Sequence, residues 1–424
     1  MQRISEFDFT KHKGNGIMSL KKVKLAELYE VHNGLSKNAK FFGSGYPFLT
    51  FSTVFNNFFI PDELVDLVQS TDKEQDNFSI KRGDIFITRT SETADELGMS
   101  CVALKYYPKA TYNGFTKRMR PINDELVWPE YIGYYMRTPQ FRNKFQAFST
   151  MTTRASLRNE DLLSLEVVLP NIDVQKKIAY VLKAYDDLIQ KDKRQICLLE
   201  EAVQRLYDEW FVKFHFKGHE KCDFENGIPS NWKKDRADFF YKIAIGKTPP
   251  RAEKQWFVDG NNGCKWISIS DMGKAGTYVF ETSEGLTPEA VSKHNIKVCP
   301  KGTVLVSFKL TVGRVAVTTE DMCTNEAIAH FYIDDDMKRA YTYLYLKSFK
   351  YDTLGNTSSI SKAVNSKIIK AMPFIMPDNK VLEAFSRVVE PYFNLIYKKQ
   401  QEIIKAKEAR DRLLSKLMDG EIEV

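Results

Sequence analysis

Residues 149–170, STMTTRASLRNEDLLSLEVVLP, and 356–377, NTSSISKAVNSKIIKAMPFIMP, follow one plan. With Pro170 placed on Pro377, each runs as a Ser/Thr-rich loop, a short polar helical segment and an apolar strand ending in proline. The same offset of 207 carries Val174, Ile178, Val181, Tyr185 and Leu188 onto Val381, Phe385, Val388, Tyr392 and Leu395. Upstream, KRGDIFITRT (81–90) resembles PKGTVLVSFK (300–309), YPFLTFS resembles KWISIS, and LAELYEVHNG ending at Gly34 resembles ADFFYKIAIG ending at Gly246. There the offset drifts to as much as 219, which means loops of different length on a shared scaffold. The chain is therefore two copies of one unit, each a mixed α/β region followed by a long helix.

The helices show the sharpest periodicity. Apolar positions step by 4 and 3 from Val174 to Leu188, and resume at Ile196, Leu199, Val203, Leu206 and Trp210. The second copy continues through Ile403, Ala406, Leu413 and Leu417. This is a heptad seam, which predicts one helix lying along another. A helix of roughly 40 residues is about 60 Å long, too long for one compact domain to cover. The expected partner is the other copy, packed antiparallel about a pseudo-twofold. Pro391 predicts a kink or break near Glu390. The seam has one polar slot per helix, Asp192 and Lys399, again 207 apart, and pseudo-symmetry predicts that they meet.

The 424 residues are 43% apolar, so sizeable cores are available without disulfides or metals, and the six irregularly spaced cysteines read as reduced thiols. The N-terminal stretch has no secretory apolar region, and no run is long enough to span a membrane. The net charge of +7 permits a nucleic-acid partner without requiring one.

No catalytic signature emerges. IAIGKTPP (243–250) ends like a phosphate loop, but the position five before Gly246 is Tyr241 and two prolines follow Thr248. Those prolines oppose the helix start whose free N–H groups would hold phosphate. Gly246 is expected to serve a turn. His215, His219 and Cys222 lack an evident fourth ligand, and Asp334–Asp336 reads as a solvated turn. No cofactor is expected.

The α/β units instead alternate aromatics with cations and small polar residues, which suits phosphates and base edges. In the first copy the candidates are Lys37, Lys40, Tyr46 and Arg89, followed by Lys117, Arg118, Thr153 and Arg154. In the second they are Lys247, Thr248, Arg251 and Lys309, followed by Thr311, Arg314, Ser359 and Lys362.

The order of these features resembles the DNA specificity subunit of type I restriction–modification enzymes. NGIPSNWK (226–233) resembles the opening of a target-recognition domain, IGKTPPR with KWISISDM and KGTVLVSFKLTVGRVAV its body, and SSISKAVNSKIIKAMPFIMP its close. VQKKIAYVLKAYDDLI with LYDEWFVKF resembles the central helix, and ARDRLLSKLMDGEIEV the terminal one. The first copy lacks the Gly-Ile-Pro-x-x-Trp segment and carries GLSKN in place of GKTPP.

The resemblance implies an α+β fold: two similar target-recognition domains separated by two long antiparallel helices forming a coiled-coil rod. The implied boundaries are 1–170 (with 1–20 a flexible lead-in or a tail for a partner), 171–215, 216–377 and 378–424. It further implies a non-catalytic, cytoplasmic subunit reading a bipartite, asymmetric site on double-stranded DNA. Two methyltransferase subunits would dock on it, and motor–nuclease restriction subunits would complete the complex. The competing reading is a coiled-coil adaptor that joins protein partners without touching DNA.

Overall fold

The computed structural model describes residues 20–91, 97–123, 125–146, 155–260, 262–354, 364–422 and 424. The chain divides into two compact units, Met1–Leu188 with Ala406–Val424, and Ile189–Lys405.

In the first unit, Lys21–Lys24 pairs antiparallel with Glu166–Leu169, tying the beginning of the α/β region to its end. The one-turn helix Leu25–Leu28 then leads into Tyr29–Asn33. That strand joins a four-stranded sheet in the order 29–33, 116–121, 85–88, 100–102. Ile85 and Ile87 are fully buried on the face that carries Met119, and pack with Leu28, Tyr131 and Leu162. The short strand end Phe48–Leu49 runs parallel to Thr111–Tyr112 and launches a helix, Phe51–Asn56, capped by the Thr50 hydroxyl.

The second unit repeats the plan. Lys233–Arg236 pairs with Pro373–Met376, followed by the helix Ala237–Phe240 and the strand Ile243–Ile245. The sheet order is 243–245, 328–331, 304–307, 315–318, with Tyr278–Val279 added at the far edge. Trp266–Ile267 runs parallel to Cys323–Thr324 and launches a helix capped by Ser268. The segment that resembles a domain opening forms a tight hairpin, Phe224–Glu225 against Ile228–Pro229. Asn226 and Gly227 both take positive φ there, the geometry that an Asn-Gly turn supplies. Trp232 behind it is buried against Phe211, Phe214 and Phe216, with ring centroids 5.5–5.7 Å apart.

Two long helices, Ile172–Tyr207 and Asn379–Met418, contribute to both units, and they run antiparallel in each. In the first unit Arg410 meets Asp186 at 2.5 Å and Lys177 reaches the Val424 carbonyl. In the second unit Phe211 packs on Phe385 at 4.7 Å, while Lys399 meets Asp192 at 2.9 Å. The predicted polar pair therefore forms. Asp192 is fully buried and off hydrogen-bond geometry with its partner, so charge attraction holds the contact. Lys399 also donates to Glu402.

Two expectations need correction. Of the kink or break expected at Pro391, the break does not occur: the second helix continues through it, although the proline removes the donor aimed at the Arg387 carbonyl. The seam also slips by one position. Leu188 and Leu395 are each 42% exposed, and Ile189 and Ile396 take the buried place. Apolar residues occupy both positions of each pair, so the sequence leaves the choice open. A helix of 3.6 residues per turn drifts off a strict heptad, and the drift selects the later residue.

Lys399→Ala strands a buried carboxylate and is expected to destabilise the second unit by on the order of 3 kcal/mol. The double variant Asp192→Leu with Lys399→Leu is expected to recover most of that loss. Urea unfolding of the full chain measures both.

Candidate nucleic-acid interface

Each sheet ends in the same corner. In the first unit Gly34 closes the first strand against the loop at Asn113, where an added Cβ would lie 2.1 Å from the Asn113 carbonyl oxygen. In the second, Gly246 closes against Thr324 and Asn325, and a Cβ would meet the Asn325 carbonyl oxygen at 2.1 Å. Gly246 therefore serves close approach of two backbones. It does not take the positive φ that a glycine-requiring turn would demand. The bonds repeat as well. Gly34 N–H donates to Thr116 and Gly246 N–H to Ile328; Leu35 N–H donates to Tyr112 and Lys247 N–H to Thr324. The side chains of Asn113 and Asn325 each accept from the backbone N–H two residues on.

What the corners carry differs. In the second unit the Thr248 hydroxyl donates to Glu326, and Lys309 and Arg251 lie within Coulombic reach of the same carboxylate. Burial pushes the Glu326 carboxyl up, but the Thr248 bond, its own backbone N–H and the two cations hold it net below the usual range. Arg251 Nη1 also reaches both carboxylate oxygens of Glu284 at 2.8 Å, and the guanidinium covers the rings of Phe257 and Trp266 at 4.3 and 4.6 Å. Three candidates thus act on an acid that the sequence reading missed, Thr248 by a hydrogen bond and Arg251 and Lys309 by charge at longer range. Lys247 Nζ donates to the His294 carbonyl, and Arg314 is drawn back onto the Ile269 carbonyl. Lys309 and Thr311 stand exposed on the turn joining strands 304–307 and 315–318.

The first unit gathers a different set. Lys117 is buried, donates to Asn159, and lies within Coulombic reach of Arg89. Burial, then Arg89, lowers the Lys117 ammonium pKa. Arg89 reaches Asn33, and its buried Nε has no hydrogen-bond partner. Asp161, also within Coulombic reach of Lys117, offsets part of the repulsion between the two cations. Lys40 is exposed over Phe41, and Tyr46 lies under Lys109, a cation that the sequence reading did not single out. Lys37 is held by Glu74 and the Gln69 carbonyl. Arg118 points to the other face of its strand and binds the carbonyls of Asn77 and Ser79. Thr153, Arg154, Ser359 and Lys362 lie outside the described residues.

The other clusters resolve into local structure. His215 pairs with Glu209, His219 with the Phe216 carbonyl, Asp334 with Lys338 and Asp336 with Arg339. All six cysteines are free. Among the described residues no group of His, Cys, Asp and Glu could hold a metal ion, and no helix is long and apolar enough to cross a membrane.

The architecture, two similar α+β units that share two long helices, is that of a type I specificity subunit. A solved S subunit of the type I restriction–modification system of M. genitalium aligns with a TM-score of 0.54 at 12% identity, covering 96% of this chain and 98% of that one. The sequence matches the type I restriction modification DNA specificity domain over residues 19–200 and 229–408, and the chain belongs to that family. The specificity subunit of the type I restriction enzyme MjaIX of Methanocaldococcus jannaschii is 25% identical over 428 residues, covering 95% of this chain and 93% of the relative. The MjaX specificity subunit, named as putative, of the same organism is 22% identical over 420 residues with the same coverage. The chain is thus a DNA-specificity component and not itself the enzyme.

The corner of the second unit has a pH signature. His330 Nε2 sits 2.6 Å from the Thr324 hydroxyl, its Nδ1 is buried without a partner, and burial lowers its pKa to about 4. The unfolded chain takes up this proton near pH 6.5, whereas the folded chain refuses it down to about 4. The contribution is therefore complete above pH 6.5 and lost as pH falls towards 4, on the order of 3 kcal/mol at most. A His330→Gln variant is expected to flatten that part of the stability-against-pH curve. Gly246→Ala, forced against backbone, is expected to lower stability by about 1–3 kcal/mol at any pH, as read from thermal melts.

Proposed function

We propose that the chain reads a bipartite, asymmetric site on double-stranded DNA, one half through each unit. The recognition domains are residues 1–170 and 216–377. The helical segments 171–215 and 378–424 fix the spacing of the half-sites and dock two methyltransferase subunits, to which motor–nuclease subunits are added for restriction. The observation that carries this reading is the repeated glycine–asparagine corner. One frame occurs twice, with Arg89 and Lys117 gathered near one copy and Thr248, Arg251, Lys309 and Glu326 at the other. The same frame dressed differently suits two unlike half-sites. Lys40, Arg89, Lys247, Arg251 and Lys309 supply phosphate contacts, with the ion pair to Glu284 exchanged for phosphate at Arg251, while the buried Lys117 adds its charge behind Arg89. Tyr46, Thr248 and Thr311 face bases, while Lys37, Arg118 and Arg314 hold the frame.

Co-expression with the methyltransferase subunits, followed by mapping of methylated adenines, tests the reading. The expected result is one split motif of two unlike halves around an unread spacer. Methylation without sequence preference, or none, would favour the adaptor. Inserting two heptads into both helices is expected to lengthen the spacer and leave the half-sites unchanged. Lys309→Ala is expected to weaken binding to all sequences alike and to reduce the salt slope by about one, measured by titration at several salt concentrations.

A further inference from the structure

We propose that Glu326 is a base-reading residue, its carboxylate accepting a hydrogen bond from the exocyclic amino group of a cytosine in the major groove of the half-site bound by the second unit. The inference rests on the reading that this unit binds DNA by sequence.

Four observations lead to it. First, the frame does not need the acid. The corresponding corner of the first unit closes with Gly114, where an added Cβ would lie 2.2 Å from the Ser36 hydroxyl oxygen. Ser36 stands where Thr248 stands, and Gly114 where Glu326 stands, both at an offset of 212. Second, an exposed acid on a surface that meets phosphates weakens binding by like-charge repulsion, so its presence calls for a compensating contact. Third, the group is held. Thr248 donates to it, and that bond, its own backbone N–H and the longer-range charges of Lys309 and Arg251 keep its carboxyl below the usual range. Fourth, an ionised carboxylate only accepts hydrogen bonds, and the donor that distinguishes a cytosine in the major groove is its N4 amino group. The Thr248 bond leaves acceptor capacity on the carboxylate for that donor.

The test compares full-length wild type, Glu326→Ala and Glu326→Gln, each bound to its methyltransferase subunits, on a randomised duplex library. Glu326→Ala is expected to bind, with discrimination at one cytosine position of one half-site falling roughly ten- to a hundredfold. Glu326→Gln, which accepts and donates, is expected to shift that position towards adenine. The other half-site and the melting temperature stay as in wild type. Uniformly tighter binding with unchanged preference in both variants would overturn the proposal and leave Glu326 as a counter-ion only. A wild type without sequence preference would instead overturn the DNA-reading function on which the proposal rests.

Discussion

Neither unit closes its core without the antiparallel helix pair. The core of the first unit takes Ile178 and Leu182 from one helix and Leu414 and Leu417 from the other. The core of the second takes Val203 and Tyr207 from the first helix and Leu382, Phe385 and Val389 from the second. The last turns of the chain thus complete a core begun near residue 23. Such a contact closes a very long loop, and only the apolar area buried there offsets that entropy. The polar bonds add position to this burial. Tyr134 and Arg410 converge on Asp186 in the first unit, and Gln400 bridges Ala275 and Tyr278 in the second. Each sheet is thereby fastened to its own stretch of the helix pair.

With the frame fixed in this way, the loops around the corners are free to differ, as are the edge strand Tyr278–Val279 and the opening hairpin of the second unit. Glycine at the end of the first strand lets two backbones meet, and asparagine shapes the loop it meets. The residue one beyond that asparagine is exposed in the second copy and buried against Ser36 in the first. In one copy the position is Gly114, in the other Glu326. A scaffold that tolerates both without changing its backbone bonds separates stability from specificity.

The parts of the fold legible in the sequence were those with a strong period or a strong local rule. The repeat at offset 207 located both long helices, the strands before them and the Asp192–Lys399 contact. The Leu188 and Leu395 assignments failed because two adjacent apolar residues satisfy a heptad equally well. Charge and residue type could nominate Arg118 and Lys37, but whether a cation meets solvent or a buried carbonyl depends on strand facing and on partners distant in sequence, Ser79 and Glu74. Glu326 was overlooked because an acid does not look like a DNA contact until Thr248, Arg251 and Lys309 are seen around it. The signal that could have found it is the alignment of NGF (113–115) with NEA (325–327), where asparagine is kept and its neighbour is not.

We propose that one frame, used twice, engages DNA in two separate places. Hydroxyl-radical footprinting of a duplex bound by the full chain with its methyltransferase subunits tests this most directly. Two protected tracts of unlike sequence, separated by an unprotected spacer, are expected. A single continuous protected tract, or a duplex cut evenly along its length, would contradict it.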